Sequence, residues 1–344
     1  MGTYTNGNYL KLKDPLTMNL VANKCSTANA SNSIPVIDFQ PFLTGDYSSQ
    51  KAVAAKLERA MQDVGCFYLS NTSVSLTAVA QVFTLCKYFF ALPSSEKEQL
   101  LIPPDGSYHG YIVKRADGKI TSEKLSITQE NLQSPSVGVR DQRSQWFEEH
   151  PQFCNSLSQA YGSFQDTMDS IFLALAIALD APENYFKDLH SQRNDSMLLH
   201  HYPPLAPTQE SVPMRNTEHI DYGSLSFLFQ DEVGGLEVYT QTGNWVAVQP
   251  IQNTPLIVLG NVMSRWTNDK YPGTMHRVSL ATARNTTRER YSFGLFPAPD
   301  ENAEITCLES CLAPNEKPKY PPILTHEYYS QGFEAKLKQQ KQLD

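Results

Sequence analysis

The chain has 344 residues, 36 acidic against 28 basic side chains, and 40% hydrophobic content. That apolar fraction is ample for a packed core, which excludes a disordered chain or a stapled mini-protein. A net charge of −8 without a basic cluster argues against nucleic acid as a partner, because phosphate binding needs a cationic face.

Residues 1–33 read as a polar arm rich in Asn, Ser and Thr, with none of the apolar patterning of a signal peptide. The Met1-Gly2 start resembles a myristoylation signal, but Asn6 stands where Ser or Thr is needed. From Ile34 the text changes, and IPVIDF is a short β-type run. Val53, Ala54, Leu57, Ala60, Met61 and Val64 then recur at helical spacing, with Gly65 as the stop. CFYLS reads as a strand. A second helix carries Leu76, Val79, Val82, Phe83, Cys86, Phe89 and Phe90 and ends before Pro93. A third runs through Leu157, Tyr161, Phe164, Met168, Ile171, Phe172 and Leu175 and ends before Pro182. Its IFLALAIAL run falls far short of the ~20 residues that span a bilayer, so it reads as buried and no membrane partner is expected. The region 34–196 is accordingly expected to be helical.

After Met197 the period becomes strand-like. LSFLFQ, GLEVYT, WVAVQP, LIVLGN, RVSLAT and RYSFGLF are short β runs, and VYTQTGNWVAV reads as a hairpin turning at Gly243 and Asn244. Many short, closely spaced strands indicate a sandwich or barrel, and no glycine-rich phosphate loop occurs. The expected fold is mainly β with flanking helices (α+β). An antiparallel core spans 197–330, a tail or helix 331–344, and the whole forms one structural unit. The six cysteines include no Cys-x-x-Cys pair and read as free thiols in a reducing cytoplasm.

The chemistry-bearing residues lie in the β region. Of eight histidines only His219 is followed two places on by an acid, Asp221. On a strand those side chains share a face, which suits two ligands of one metal or a strand-end ion pair. His276 lies 57 residues beyond His219, just ahead of the RVSLAT strand. Two imidazoles and one carboxylate suit Fe(II) with open positions, although zinc takes the same three ligands. Arg290 and Ser292, also two apart, offer a guanidinium fork and a hydroxyl to a carboxylate; a surface salt bridge is the other use of such an arginine.

These stretches carry a family likeness. RNTEHIDYGSLSFLFQDEVGGLEVY, LIVLGNVMSRWTND, GTMHRV and RYSFGLFPAP closely resemble the iron(II)- and 2-oxoglutarate-dependent dioxygenases of the isopenicillin N synthase-like group. IPVIDF, VGCFYLSN and FFALPSSEKE resemble that group's N-terminal region, so the likeness runs from Ile34 to Tyr329. It implies a double-stranded β-helix (jelly roll) core, with Fe(II) on His219, Asp221 and His276. It places the C5 carboxylate of 2-oxoglutarate on Arg290 and Ser292. Tyr202 matches the tyrosine of the group's Asn-x-Tyr-x-Pro segment, but His200 stands at the asparagine position; it reads as a hydrogen-bonding or packing histidine rather than a fourth ligand.

The resemblance further implies O₂ and 2-oxoglutarate as co-substrates, support by ascorbate, and release of succinate and CO₂. Hydroxylation, desaturation or ring closure of a small molecule would accompany it. Isopenicillin N synthase and the plant ethylene-forming oxidase carry the same Arg-x-Ser without using 2-oxoglutarate. A 2-oxoglutarate-independent oxidase, and a non-catalytic jelly-roll binding protein, therefore stay open here. A secondary metabolite derived from an amino acid is the expected substrate class, and no obligate protein partner is evident. Period two along RYSFGLF places Phe296 with Arg290 and Ser292, as a pocket or a core residue. Tyr111, in SYHGYIVKR, occupies the region where relatives place a substrate-covering loop.

Overall fold

The computed structural model describes residues 33–102, 109–116, 118–133, 142–204, 214–283 and 286–332. The N-terminal arm, Cys25 and most of the C-terminal tail expected from the sequence lie outside the described residues.

The chain opens with β1 (Val36–Asp38) and the short helix α1 (Gln40–Thr44), and then forms α2 (Tyr47–Asp63). Asp46 caps α2 by accepting the Ser49 N–H at 2.9 Å, which satisfies one of the donors that a helix start leaves unpaired. Val53, Ala54, Leu57, Ala60 and Met61 are buried on one side of it, as their 3–4 spacing requires. Strand β2 (Cys66–Ser70) leads into α3 (Leu76–Ala91), capped by Ser75 and stopped ahead of Pro93, and α4 (Ser94–Lys97) follows.

A hairpin comes next, β3 (Gly110–Ala116) and β4 (Lys119–Thr128), and then α5 (Gln129–Gln133), α6 (Gln142–Glu149), the 28-residue α7 (Pro151–Ala178) and α8 (Tyr185–Asp188). The remaining strands are β5 (Ser196–Tyr202), β6 (Met214–His219), β7 (Leu225–Gln230), β8 (Gly234–Tyr239), β9 (Trp245–Ala247), β10 (Leu256–Leu259), β11 (His276–Ala283) and β12 (Arg290–Phe296). Helix α9 (Asn261–Trp266) lies between β10 and β11.

The strands make an eight-stranded sheet, β1-β2-β10-β7-β12-β5-β4-β3, and a four-stranded sheet, β6-β11-β8-β9. Side chains from both meet in one apolar cluster: Tyr68, Tyr202, Leu256 and Val258 from the large sheet, Leu236, Val238 and Val278 from the small one. This is the two-sheet architecture of a jelly roll, whose inner faces fill the space between them. The outer face of the large sheet is covered by helices. Phe164 of α7 packs 5.7 Å from Phe293 and 5.6 Å from Phe229, and Phe83 of α3 meets Phe293 edge-on at 5.1 Å. Each of the buried rings Phe164, Phe229 and Phe293 contributes about 1.5–3 kcal/mol. The expected hairpin at Gly243 and Asn244 is formed by β8 and β9; Gly243, at φ +82°, supplies the left-handed residue of its turn. Among the described residues, no single helix is long and apolar enough to cross a membrane.

The region 34–196, read as helical apart from the strands IPVIDF and CFYLS, holds two further strands. Strands β3 and β4 interrupt the helices and extend the large sheet through β4–β5 pairing. The alternation along β4 is concealed because Glu123 occupies a buried position of the helix-covered face. Its carboxylate accepts hydrogen bonds from Lys97 Nζ at 2.6 Å, from His201 Nδ1 at 2.8 Å and from the Tyr111 hydroxyl. Burial alone would raise its pKa, but these three donors hold it down to about 2. A buried charge with its hydrogen bonds complete is stable, whereas removing one partner costs much more.

Candidate functional site

His219 ends β6 and His276 begins β11, and the two are direct partners across that antiparallel pair. Their rings lie 4.3 Å apart between centroids. Asp221 is not on the strand with His219. It sits in the turn after it, where its carbonyl accepts the Asn261 N–H at 2.8 Å and the Gly223 carbonyl accepts the Val262 N–H at 3.1 Å. This docking needs glycine at 260, because a Cβ there would stand 2.1 Å from the Gly223 carbonyl oxygen. The turn thus brings the carboxylate between the imidazoles: Oδ1 is 3.6 Å from His219 Nε2, and Oδ2 is 3.6 Å from His276 Nε2.

The three donor atoms all lie within 4.8 Å of one another and form a group able to hold a metal ion. Both histidines use Nδ1–H to donate to a carbonyl two residues earlier, Thr217 at 2.7 Å and Thr274 at 3.1 Å. That fixes the tautomer and leaves the Nε2 lone pairs turned toward the carboxylate. Ser226 Oγ donates to Asp221 Oδ2 at 2.5 Å. Nothing in LSFLFQ marks Ser226 as special; only the packing of β7 under the turn does. Two imidazole nitrogens and one carboxylate oxygen, with no sulfur, are a donor set that fits Fe(II).

Deeper between the sheets, Arg290 and Ser292 lie on one face of β12, opposite Tyr202 and His200 of β5 in register. Arg290 is buried. It donates through Nε to the Gly234 carbonyl at 2.5 Å, through Nη1 to Ser292 Oγ at 2.9 Å and through Nη2 to Gln230 Oε1 at 3.3 Å. Its guanidinium stands 4.9 Å from the centre of the Tyr202 ring. Gln230 is a second residue that the sequence did not single out. The His200 ring is parallel to Tyr202. Burial, and then the charges of Lys124 and Arg290, push its pKa down to about 3, so it is neutral at physiological pH.

Phe296 is half-buried on the same face of β12 as Arg290 and Ser292, its ring lying against Gly294. Tyr111 requires a correction. It is in register with Leu125, which pairs with Leu199, on the face of the sheet that carries Phe293 and faces the helices. Its ring packs edge-on against Phe89, and its hydroxyl is used on Glu123. From Gly110 onward the segment is a paired strand rather than a covering loop, so its alternate residues are fixed by the pleat. Tyr111→Phe removes one hydrogen bond to a charged group, which costs about 1.5–3 kcal/mol. Thermal denaturation should show the lower stability, while KM for the substrate stays unchanged; a raised KM without loss of stability would return Tyr111 to the pocket.

Comparison with known proteins agrees with this geometry. Residues 34–149 match the family model described as "non-haem dioxygenase in morphine synthesis N-terminal", and residues 193–299 match that of the 2OG-Fe(II) oxygenase superfamily. A proline hydroxylase, buaE, of Petromyces alliaceus is 30% identical over 86% of this chain and 97% of its own length. A 2-oxoglutarate-Fe(II) type oxidoreductase, ppzD, of Metarhizium rileyi is 28% identical, covering 86% of this chain and 89% of its own length. Among solved structures, a full-length Neurospora crassa protein in complex with alpha-KG superposes with a TM-score of 0.77 at 27% identity, over 89% of this chain and 97% of that one. With the two family models spanning most of the described chain and the paired sheets carrying a His-Asp-His group, this protein belongs to the iron(II)- and 2-oxoglutarate-dependent oxygenases.

Proposed function

We propose that His219, Asp221 and His276 hold the Fe(II), and that Arg290, Ser292 and Tyr202 hold the far carboxylate of 2-oxoglutarate. The observation that carries this reading is a buried guanidinium, Arg290, close enough to the His-Asp-His group that the His200 ring feels its charge together with those of His219 and Asp221. Bound iron supplies the activation of O₂ that the oxidation needs. The chain's own contribution is positioning. The Thr217 and Thr274 carbonyls orient the imidazoles, Ser226 orients Asp221, and Arg290 fixes the co-substrate in a site screened from water.

The substrate we propose is a small amino-acid-derived metabolite, a reading supported by the likeness to a proline hydroxylase. Phe296 is proposed to line its pocket. The location we propose is the cytoplasm, which is compatible with the free thiols of Cys66, Cys86, Cys154, Cys307 and Cys311. The test is stoichiometric: cyclic amino acids and small peptides are supplied with iron(II), ascorbate and 2-oxoglutarate, and succinate is counted against oxidised product. One succinate per product is expected. Product formed at full rate without 2-oxoglutarate would assign Arg290 to the substrate's own carboxylate.

A further inference from the structure

Next to Arg290 lies a second buried guanidinium. Arg215, on β6, is 7% exposed, and its Nε and Nη1 have no hydrogen-bond partner among the described residues. Its guanidinium stands 5.9 Å from the centre of the Tyr202 ring, which Arg290 approaches at 4.9 Å. Arg215 and Arg290 also line one cavity together with Gly234, Val278 and Ser279.

Neither arginine pairs with an acid among the described residues. The carboxylate of Asp231, which feels Arg290, instead accepts the backbone N–H groups of Tyr291 at 2.6 Å and Val233 at 3.0 Å. Arg277, in the neighbouring strand, shows the contrast: it meets Glu237 at 2.5 Å and Glu218 at 2.9 Å. Burial, and next the charge of Arg290, lower the Arg215 pKa to about 10, so the group remains a cation at neutral pH. Two buried like charges without a counter-ion are costly, and an anion placed between them removes both the repulsion and the unmet donors.

We propose that Arg215 is a second carboxylate-binding arginine of the co-substrate site, so that the C5 carboxylate of 2-oxoglutarate is held between Arg215 and Arg290. This rests on the 2-oxoglutarate reading given above. It makes Arg215 a specificity residue: a 2-oxo acid that lacks the far carboxylate gains nothing from it. Gln230 and Ser292 then hold the Arg290 side of the fork, while Arg215 closes the other side with donors that the described residues leave unmet.

The test is isothermal titration of the iron(II)-loaded protein without oxygen. Two probes are compared, 2-oxoglutarate and 2-oxopentanoate, the latter having the same carbon chain without the second carboxylate. Arg215→Met is expected to weaken 2-oxoglutarate binding by roughly ten- to a hundredfold, the value of a charge-assisted hydrogen bond. Binding of 2-oxopentanoate should change by less than about twofold, since it makes no contact there. Arg215→Lys, which keeps the charge but not the fork, should recover part of the loss. Unchanged 2-oxoglutarate affinity in Arg215→Met, or equal weakening of both probes, overturns the proposal. If Arg215→Met does not fold, Arg215→Gln supports the same comparison. Arg290→Met separates the two readings: if that variant binds 2-oxoglutarate as tightly as the wild type, the site itself has been misread, whatever Arg215 does.

Discussion

Replacing Asp221 by alanine is expected to abolish product formation and to weaken iron(II) binding while the protein stays folded. The carboxylate lies 3.6 Å from each histidine Nε2 and is the only anionic donor of the group. Without it, two neutral imidazoles remain, and a facial set of three becomes two. The turn survives, because it is held by the main-chain carbonyl of Asp221 accepting from Asn261 rather than by the side chain. Ser226→Ala provides the scale. Losing an outer hydrogen-bond partner of a ligand typically costs roughly 10–100-fold in metal affinity or activity, and losing the ligand itself should exceed that. His219→Ala and His276→Ala should behave like Asp221→Ala. Metal analysis alongside single-turnover assays decides the matter: Asp221→Ala protein with full iron content and undiminished turnover would remove the assignment.

Replacing Arg290 by glutamine should leave a buried carboxylate of the co-substrate without its principal counter-charge. Breaking such a pair costs about 3–5 kcal/mol. At 1.4 kcal/mol per decade, 2-oxoglutarate affinity falls by roughly 10²–10³-fold, toward the lower end if Arg215 retains part of the charge. Ser292→Ala should be milder, about 1.5–3 kcal/mol, because Ser292 accepts the Arg290 Nη1 hydrogen bond that aims the fork. Tyr202→Phe should equal or fall below Ser292→Ala. Titration of 2-oxoglutarate into each variant orders them. An Arg290→Gln protein with wild-type affinity would show that the far carboxylate binds elsewhere.

The β core was legible because its signal is local. LSFLFQ and RYSFGLF coincide with β7 and β12 to the residue, since short runs of apolar and aromatic side chains bounded by turn residues have few other uses. The helices were equally plain, as buried positions of α2 and α3 recur at 3–4 spacing. The hairpin of β3 and β4 was not legible. Its core-facing row includes Glu123, and a charged residue at an inward position breaks the pattern by which a strand is read. That charge is tolerated only because Lys97, Tyr111 and His201 arrive from three other segments to satisfy it.

The same distinction divides the site. The sequence by itself supplied the candidate side chains, because His219, Asp221, His276, Arg290 and Ser292 are picked out by spacing and by family likeness. It also indicated that Phe296 would share a face with Arg290, since the pleat has period two. Only folding shows that Asp221 reaches the histidines from a turn rather than a strand, that Ser226 bonds Asp221 and Gln230 bonds Arg290, and that Tyr111 faces the helices. The same holds for Arg215, buried on one cavity with Arg290, whose Nε and Nη1 have no partner among the described residues. The physical reason is common to all of these. A side chain's type is written at its own position, but its burial and the completeness of its hydrogen bonds depend on residues that only folding brings within a few ångströms.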